Sequence, residues 1–312
     1  MKTIKTCFYT LYLFAAFSIS ASAQLLLGAA TGDPSGENAP EPSNLYLLDP
    51  TNGGATLIGP IGFDNVTGLA FLGDGRLVGS ANGDAIFGNR TSILIEIDPV
   101  TGAGTLIGII GQDFNGGCGR VPDITYDPIT DSLYGWGDRC PTTDDDRFLV
   151  IDQNTGAGTI IGPTGFEGSG NGLAVNRLSG ELIAAPGEGL YNVDPATGAA
   201  TLIPATADNV PCLVNALDFQ PGTNILFGSL FDVNVCTGFT AFGGGFHLVT
   251  INTANGFTSN VGLTVPGLDA IVFEPEPEAR PIPAMTEWGM IAMAVILGMI
   301  GCAVYSRRKR TA

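Results

Sequence analysis

LYLLDPTNGGATLIG (45–59) returns as LIEIDPVTGAGTLIG (94–108), FLVIDQNTGAGTIIG (148–162) and LYNVDPATGAATLIP (190–204), with a degenerate fifth copy in HLVTINTANGFTSNVG (247–262). Each copy reads as strand, turn, strand. The Asp starts the turn, a following Pro presets φ, and a Gly supplies a left-handed position before the return strand. A second family of hairpins alternates with the first: TGLAFLGDGRLVGSA (67–81), DITYDPITDSLYGWG (123–137), NGLAVNRLSGELIAA (171–185) and NALDFQPGTNILFGS (215–229). The period is therefore four short strands in about 45 residues, the mark of a β-propeller. A solenoid fits less well, because its rungs are shorter and its ends are capped.

The strands within a unit are named A to D in chain order. Full units begin near Thr67, Asp123, Asn171 and Asn215. Left over at the N-terminal end are a B strand, LLLGAA (25–30), and the C and D strands of 45–59; left over at the C-terminal end is a lone A strand, LDAIVFEP (268–275). Three strands plus one complete a fifth unit and leave no exposed edge. The expected fold is all-β: a five-bladed propeller over 24–275, closed by pairing between its two ends and followed by a C-terminal transmembrane helix.

The chain begins with Lys2 and Lys5, an apolar stretch, and Ala21-Ser22-Ala23 ahead of Gln24, the order of a signal peptide (1–23) cleaved after Ala23. Export of this kind runs through the Sec translocon and implies an oxidising compartment. Four cysteines lie in the body. Cys118 and Cys140 occupy the places that Cys212 and Cys236 occupy two units later, so of the three possible connectivities the repeat favours Cys118–Cys140 and Cys212–Cys236. With His247 as the sole histidine, zinc is a poor rival.

Between Gln24 and Pro281 there are seven arginines, no lysine and 29 acidic residues, a net charge of −22. Such a body repels nucleic acid and anionic lipid. Aligning the A strands on Phe71, Tyr126, Val175, Phe219 and Phe273 places Thr67, Asn171, Asn215 and Asp269 at one position near the channel mouth, with Asp123 one step further on in its strand. A ring of oxygen donors suits a hard cation, and calcium is the cofactor it would take. It resembles, in that respect alone, the mouth of calcium-dependent propeller lactonases. Short polar side chains also serve strand-end backbone groups without any metal. The run Thr142-Thr143-Asp144-Asp145-Asp146 could bind calcium, but it lacks EF-hand spacing and reads better as a solvated acidic loop. No G-x-S-x-G or H-E-x-x-H occurs, and no catalytic residue is assigned.

A Pro/Glu-rich spacer (276–281) leads to IPAMTEWG (282–289), an apolar run expected to be a transmembrane helix (289–305), and Arg307-Arg308-Lys309-Arg310. The run is at the short limit for a bilayer span, and the basic cluster places its end in the cytoplasm. The tail (282–312) resembles the IPTL-CTERM sorting signal, related to PEP-CTERM. Ile282, Pro283, Trp288 and Gly289 match its box, while Ala284 and Met285 stand where Thr and Leu are usual. The resemblance implies recognition by an exosortase-like membrane transpeptidase or protease in a bacterium with an outer membrane, removal of the tail, and delivery to the cell surface or extracellular matrix. Exopolysaccharide or another envelope component is the partner this implies. The expected function is a non-enzymatic binding or structural module; the alternative is a calcium-dependent propeller hydrolase or lyase acting at the channel mouth.

Overall fold

The computed structural model describes residues 24–31, 42–87, 91–112, 120–137, 145–166, 172–207, 209–210, 214–232 and 245–276. The chain divides into two compact units, Met1–Pro275 and Glu276–Ala312. Apart from Glu276, the described residues belong to the first. The four body cysteines, the segment up to Ala23 expected to be a signal peptide and the tail beyond Glu276 lie outside them, as does Asn171. Among the described residues no helix is long and apolar enough to cross a membrane.

Nineteen strands lie among the described residues: β1 (Leu26–Ala30), β2 (Pro42–Leu48), β3 (Ala55–Phe71), β4 (Leu77–Asn82), β5 (Thr91–Ile97), β6 (Gly104–Gln112), β7 (Asp123–Asp127), β8 (Ser132–Gly137), β9 (Arg147–Ile151), β10 (Gly158–Pro163), β11 (Leu173–Val175), β12 (Leu182–Ala184), β13 (Tyr191–Val193), β14 (Ala200–Leu202), β15 (Val214–Phe219), β16 (Leu226–Asp232), β17 (Gly245–Ile251), β18 (Thr258–Leu263) and β19 (Leu268–Phe273). Three sheets are four-stranded, β7 to β10, β11 to β14 and β15 to β18; the fourth runs β19-β1-β2-β3-β4-β5-β6. The body is all-β and propeller-like. The strand from the C-terminal end pairs with the strand from the N-terminal end: Leu26 opposes Phe273 and Gly28 opposes Ile271.

One element departs from the repeat. The return strand of the first hairpin and the A strand of the next unit are a single 17-residue strand, β3. Asp64 faces Pro42 on one side and Asn82 on the other. The connection therefore finds strand partners on both flanks for backbone groups that would otherwise need a turn.

The turns obey one rule. Asp49, Asp98, Asp152, Asp194 and Asn252 each accept, through Oδ1, the N–H two residues on, at 2.8–3.0 Å. The carbonyl of the same residue accepts the N–H of the glycine four residues on, at 2.6–2.9 Å. Those glycines, Gly53, Gly102, Gly156, Gly198 and Gly256, have φ between +72° and +83°, where a side chain is strained.

The last glycine of the TLIG motif has a different job. A Cβ on Gly59 would overlap the carbonyl of Thr101, one on Gly108 that of Thr155, one on Gly162 that of Thr197, and one on Gly262 that of Asn52. Each return strand thus seats the turn of the next unit, backbone on backbone, and Gly53 against Gly262 carries the series from the last hairpin to the first. In the fourth unit Pro204 stands in the glycine's place. A 3₁₀ turn (Pro204–Thr206) follows, and Thr206 meets Gly256 instead.

The apolar core is divided among the spaces between neighbouring units. Strand alternation sends Leu27 and Ala29 of β1 to one side, with Leu69, Phe71, Ile93 and Ile95. Leu26 and Ala30 go to the other side, with Phe227, Phe246 and Leu248. Further clusters join β3–β6 to β7–β10, that sheet to β11–β14, and that one to β15–β18. The innermost strands follow in the same order: β3 lies beside β7, β7 beside β11, β11 beside β15, β15 beside β19, and β19 beside β3.

Candidate functional site

The inner edges of the A strands carry N–H groups with no fifth strand to pair with. Side chains of the preceding A strand take several of them up. Thr125 Oγ1 accepts from Val175 N–H at 3.2 Å, and Asp218 Oδ2 accepts from Phe273 N–H at 2.7 Å. Thr125 and Asp218 occupy the same column, one residue before the aligned aromatic. Asp123, expected at the mouth, belongs to this system: its Oδ2 accepts from Leu173 N–H at 2.6 Å and its Oδ1 from Ile124 N–H at 2.8 Å. Both its oxygens are therefore committed to backbone. Burial pushes Asp123 well above the usual carboxylate range, and the charge of Asp218 adds to that shift. Asp218 is raised to about 6, by burial first, with the Arg177 guanidinium opposing.

Two of the expected mouth residues do meet. Asn215 Nδ2 donates to Asp269 Oδ1 at 3.3 Å, and Thr31 Oγ1 donates to Asp269 Oδ2 at 3.4 Å. The backbone explains the meeting. The register of β15 shifts between Val214 and Ala216, and that of β19 against β1 shifts at Asp269, so each polar residue sits in a bulge. A bulge re-aims the side chain that strand alternation would have sent elsewhere. Thr67, half-buried, occupies the corresponding irregularity of β3, between Asp64 and Gly68. Thr31, at the end of β1, was not singled out in the sequence; its equivalence becomes visible only once β1 is paired with β19.

Asp269 is raised to about 7, because burial outweighs the hydrogen bonds from Thr31 and Asn215. A folded-state value above the unfolded one means that its contribution to stability is complete below about pH 4 and disappears as pH rises to about 7. Asp218 acts in the same direction with a lower upper limit. The turn aspartates act oppositely. Asp49 and Asp194 are lowered chiefly by the hydroxyls of Thr51 and Thr197, and Asp98 and Asp152 by the N–H groups of Val100 and Thr155. Their contribution is lost below about pH 4. Stability should therefore be highest near pH 4 and fall on either side of it. In Asp269→Asn the decline from pH 4 to 7 should flatten, leaving the variant about 2 kcal/mol more stable than the parent at pH 8 by urea denaturation. That figure is about half the full shift, since the side chain is partly open to solvent. A variant with an unchanged pH profile would show that Asp269 does not titrate in this range.

The remaining candidates separate from this site. His247 is buried in β17, its Nδ1 3.1 Å from Asn260 Oδ1. Asp146, read as part of a solvated loop, is buried and accepts from Trp136 Nε1 at 2.9 Å. Trp136 lies near the end of β8, and its indole N–H needs an acceptor in a core it shares with Phe148 and Phe166, which is why this acid turns inward. Among the described residues no three His, Cys, Asp or Glu side chains are grouped to hold a metal ion. Chemically Asp269, Asn215 and Thr31 offer a carboxyl group raised to about 7, a primary amide and a hydroxyl, a set suited to hydrogen-bonding a polar ligand.

No curated protein sequence matches the chain. Among solved structures, TolB from Acinetobacter baumannii superposes with a TM-score of 0.44 at 15% identity, covering 80% of this chain and 57% of that one. A structural-genomics protein of unknown function from Bacteroides thetaiotaomicron gives 0.46 at 18% identity, with 79% and 60% covered. The chain thus spans less than two thirds of either structure, and neither likeness bears on what it binds. Residues 280–310 match the IPTL-CTERM motif.

Proposed function

We propose that this protein is an exported, five-bladed β-propeller that works at the cell surface or in the extracellular matrix as a non-enzymatic binding module. The match of residues 280–310 to the IPTL-CTERM motif carries the export reading. An exosortase-like membrane enzyme would remove or exchange that tail, and the signal segment before Gln24 would start the route. Five-blade closure is supported by the pairing of β1 with β19, by the cyclic order of the inner strands, and by the seating of Gly53 on Gly262.

The binding face is the mouth at Asn215, Asp269 and Thr31. A body of net charge −22 disfavours anionic polymers, whereas a carboxyl near half-protonation beside an amide and a hydroxyl favours an uncharged, hydroxyl-rich partner such as a neutral polysaccharide. The calcium-dependent hydrolase reading is weaker, because both oxygens of Asp123 serve backbone N–H groups.

In a host with the matching enzyme, protein recovered outside the inner membrane should lack the segment after the Ile282-Pro283 box, by intact mass. Trp288→Ala should leave precursor in the inner membrane and reduce the exported form at least tenfold, since the indole would mark the outer interface where a membrane enzyme reads the box. Surface protein that retains residues 289–312 in the presence of the enzyme would reduce the tail to an ordinary anchor.

A further inference from the structure

We propose that the junctions between the first and second strands of four successive units form one apolar docking surface, and that its occupant is a basic, amphipathic segment of a partner protein. These junctions stand at the end of the inner strands away from Asn215 and Asp269. The surface is therefore separate from the binding face assigned above.

Ile129 lies in the turn from β7 to β8, Leu178 in the turn from β11 to β12, and Ile225 just before β16. Leu25, just before β1, holds the corresponding place beside the end of β19. The four side chains are 61%, 60%, 45% and 44% exposed. Single exposed apolar side chains are ordinary, and Val100 and Phe257, in turns of the other hairpin family, are such cases. Four at successive junctions make a patch, the mark of an interaction surface. The junctions touch one another. A Cβ on Gly180, in the Leu178 turn, would lie 3.1 Å from Ile129 Cδ1. Asn176 Nδ2 donates to Asn224 Oδ1 at 3.0 Å, which joins the Leu178 and Ile225 turns. Gln24 Nε2 donates to the carbonyl of Pro221 at 3.2 Å, which joins the Ile225 turn to the start of β1. Hydrogen bonds also fix the backbone at each position. The N–H groups of Ile129, Leu178 and Ile225 donate to Asp127 Oδ1, Asn176 Oδ1 and Thr223 Oγ1 at 2.9, 3.0 and 3.2 Å, and the carbonyl of Leu25 accepts from Glu274 N–H at 2.8 Å. A surface ordered in advance loses less entropy on docking.

Charge selects the occupant. The fifth junction, from β3 to β4, is polar: Arg76 pairs with Asp74 at 2.7 Å and lies 3.7 Å from Glu96. The apolar surface is therefore an arc, and carboxylates flank it. Asp131, Glu181 and Glu274 are exposed at the four junctions, where the only described cation, Arg177, opposes the buried charge of Asp218. In a body of net charge −22, a second copy of the chain and an anionic lipid surface are both repelled. The occupant must bring apolar side chains to the arc and positive charge to the carboxylates beside it. A helix with an apolar stripe and a face rich in lysine or arginine meets both needs.

Residues 24–276 carry every strand and core cluster described above, within a compact unit that ends at Pro275. This body is titrated against a fluorescein-labelled helical peptide of about 18 residues, with leucine on one face and lysine on the other. The parent should bind, and raising salt from about 0.05 to about 0.5 M should weaken that binding severalfold. Ile129→Ser, Leu178→Ser and Ile225→Ser together should weaken it about tenfold or more. Val100→Ser with Phe257→Ser, which removes side chains 82% and 64% exposed in the other turns, should stay within about twofold of the parent. All these side chains are exposed, so both variants should keep the parent's cooperative melting. Equal affinities for the two variants would mean that charge alone holds the peptide, anywhere on the body, and would overturn the docking surface. No binding by the parent below about 0.1 mM would overturn it too. Binding of the parent to phosphatidylcholine vesicles, lost in the triple variant, would make the arc a lipid surface and overturn the protein partner.

Discussion

A chain ending at Gly267 should not hold a folded body. β19 supplies Leu268, Ala270, Ile271, Val272 and Phe273, none more than 2% exposed. It pairs with β1 on one edge and lies beside β15 and β3. Its four large apolar side chains contribute about 1.5–3 kcal/mol each when fully buried, so their sum rivals the whole stability expected of a domain, about 5–15 kcal/mol. The loss also uncovers the edge of β1 and strands the Asp218 carboxyl without the N–H of Phe273. Purified 24–267 should show no cooperative thermal transition and should be degraded at least 100-fold faster by thermolysin than 24–276. A truncated body as stable as the longer one would mean that the end-to-end pairing does not hold the fold together.

Gly108→Val should be nearly as damaging, although it alters one hydrogen to an isopropyl group on a strand. The new Cβ would overlap the carbonyl of Thr155, and the approach is tight from both sides, since a Cβ on Gly156 would in turn meet the backbone of Gly108. The hairpin of the third unit must lift from the second, opening the core that Leu94 and Ile110 share with Leu149 and Ile151. Overpacking against backbone falls in the upper range of single-site effects, about 3–4 kcal/mol, or a loss of roughly 10 °C in melting temperature for a body of this size. Gly187→Ala is the control, since a Cβ there meets nothing within 4 Å; it should melt within about 1 °C of the parent. Equal melting temperatures for the two variants would show that the TLIG glycine is not a seat for the next turn.

The TLIG glycine illustrates what the sequence could and could not tell. Its recurrence made the repeat, and the repeat made the strand order, the leftover strands and their pairing legible. Turn chemistry is local, so Asp98, Thr101 and Gly102 announce themselves. The reason for Gly108 is not local, because its partner is the carbonyl of a residue one unit away. The Asn215–Asp269 contact was legible in half. Asn215 and Asp269 share an alignment column and do meet, but the bulges that turn them toward each other depend on register against β16 and β1. Asp123 looked like a mouth ligand because its strand enters without a bulge; its carboxylate instead reaches the N–H of Leu173, an inter-strand distance that no single-strand pattern reports. Asp218 and Thr125 went unnoticed for the same reason, although a polar residue ahead of the aligned aromatic, in an otherwise apolar strand, was the available signal. Asp146 was hidden by its acidic neighbours, and its role depends on Trp136.

Hydrogen exchange on the purified body tests closure most directly. The amides of Phe273 and Glu274 donate to Asp218 Oδ2 and to the carbonyl of Leu25, and β1 lies between β19 and β2. If the ring is closed, peptides covering 26–30 and 268–274 should exchange as slowly as those covering β16 and β17 and should open only with global unfolding. Exchange of the two terminal strands a thousandfold or more faster than β16, while the rest of the body stays protected, would contradict a closed ring.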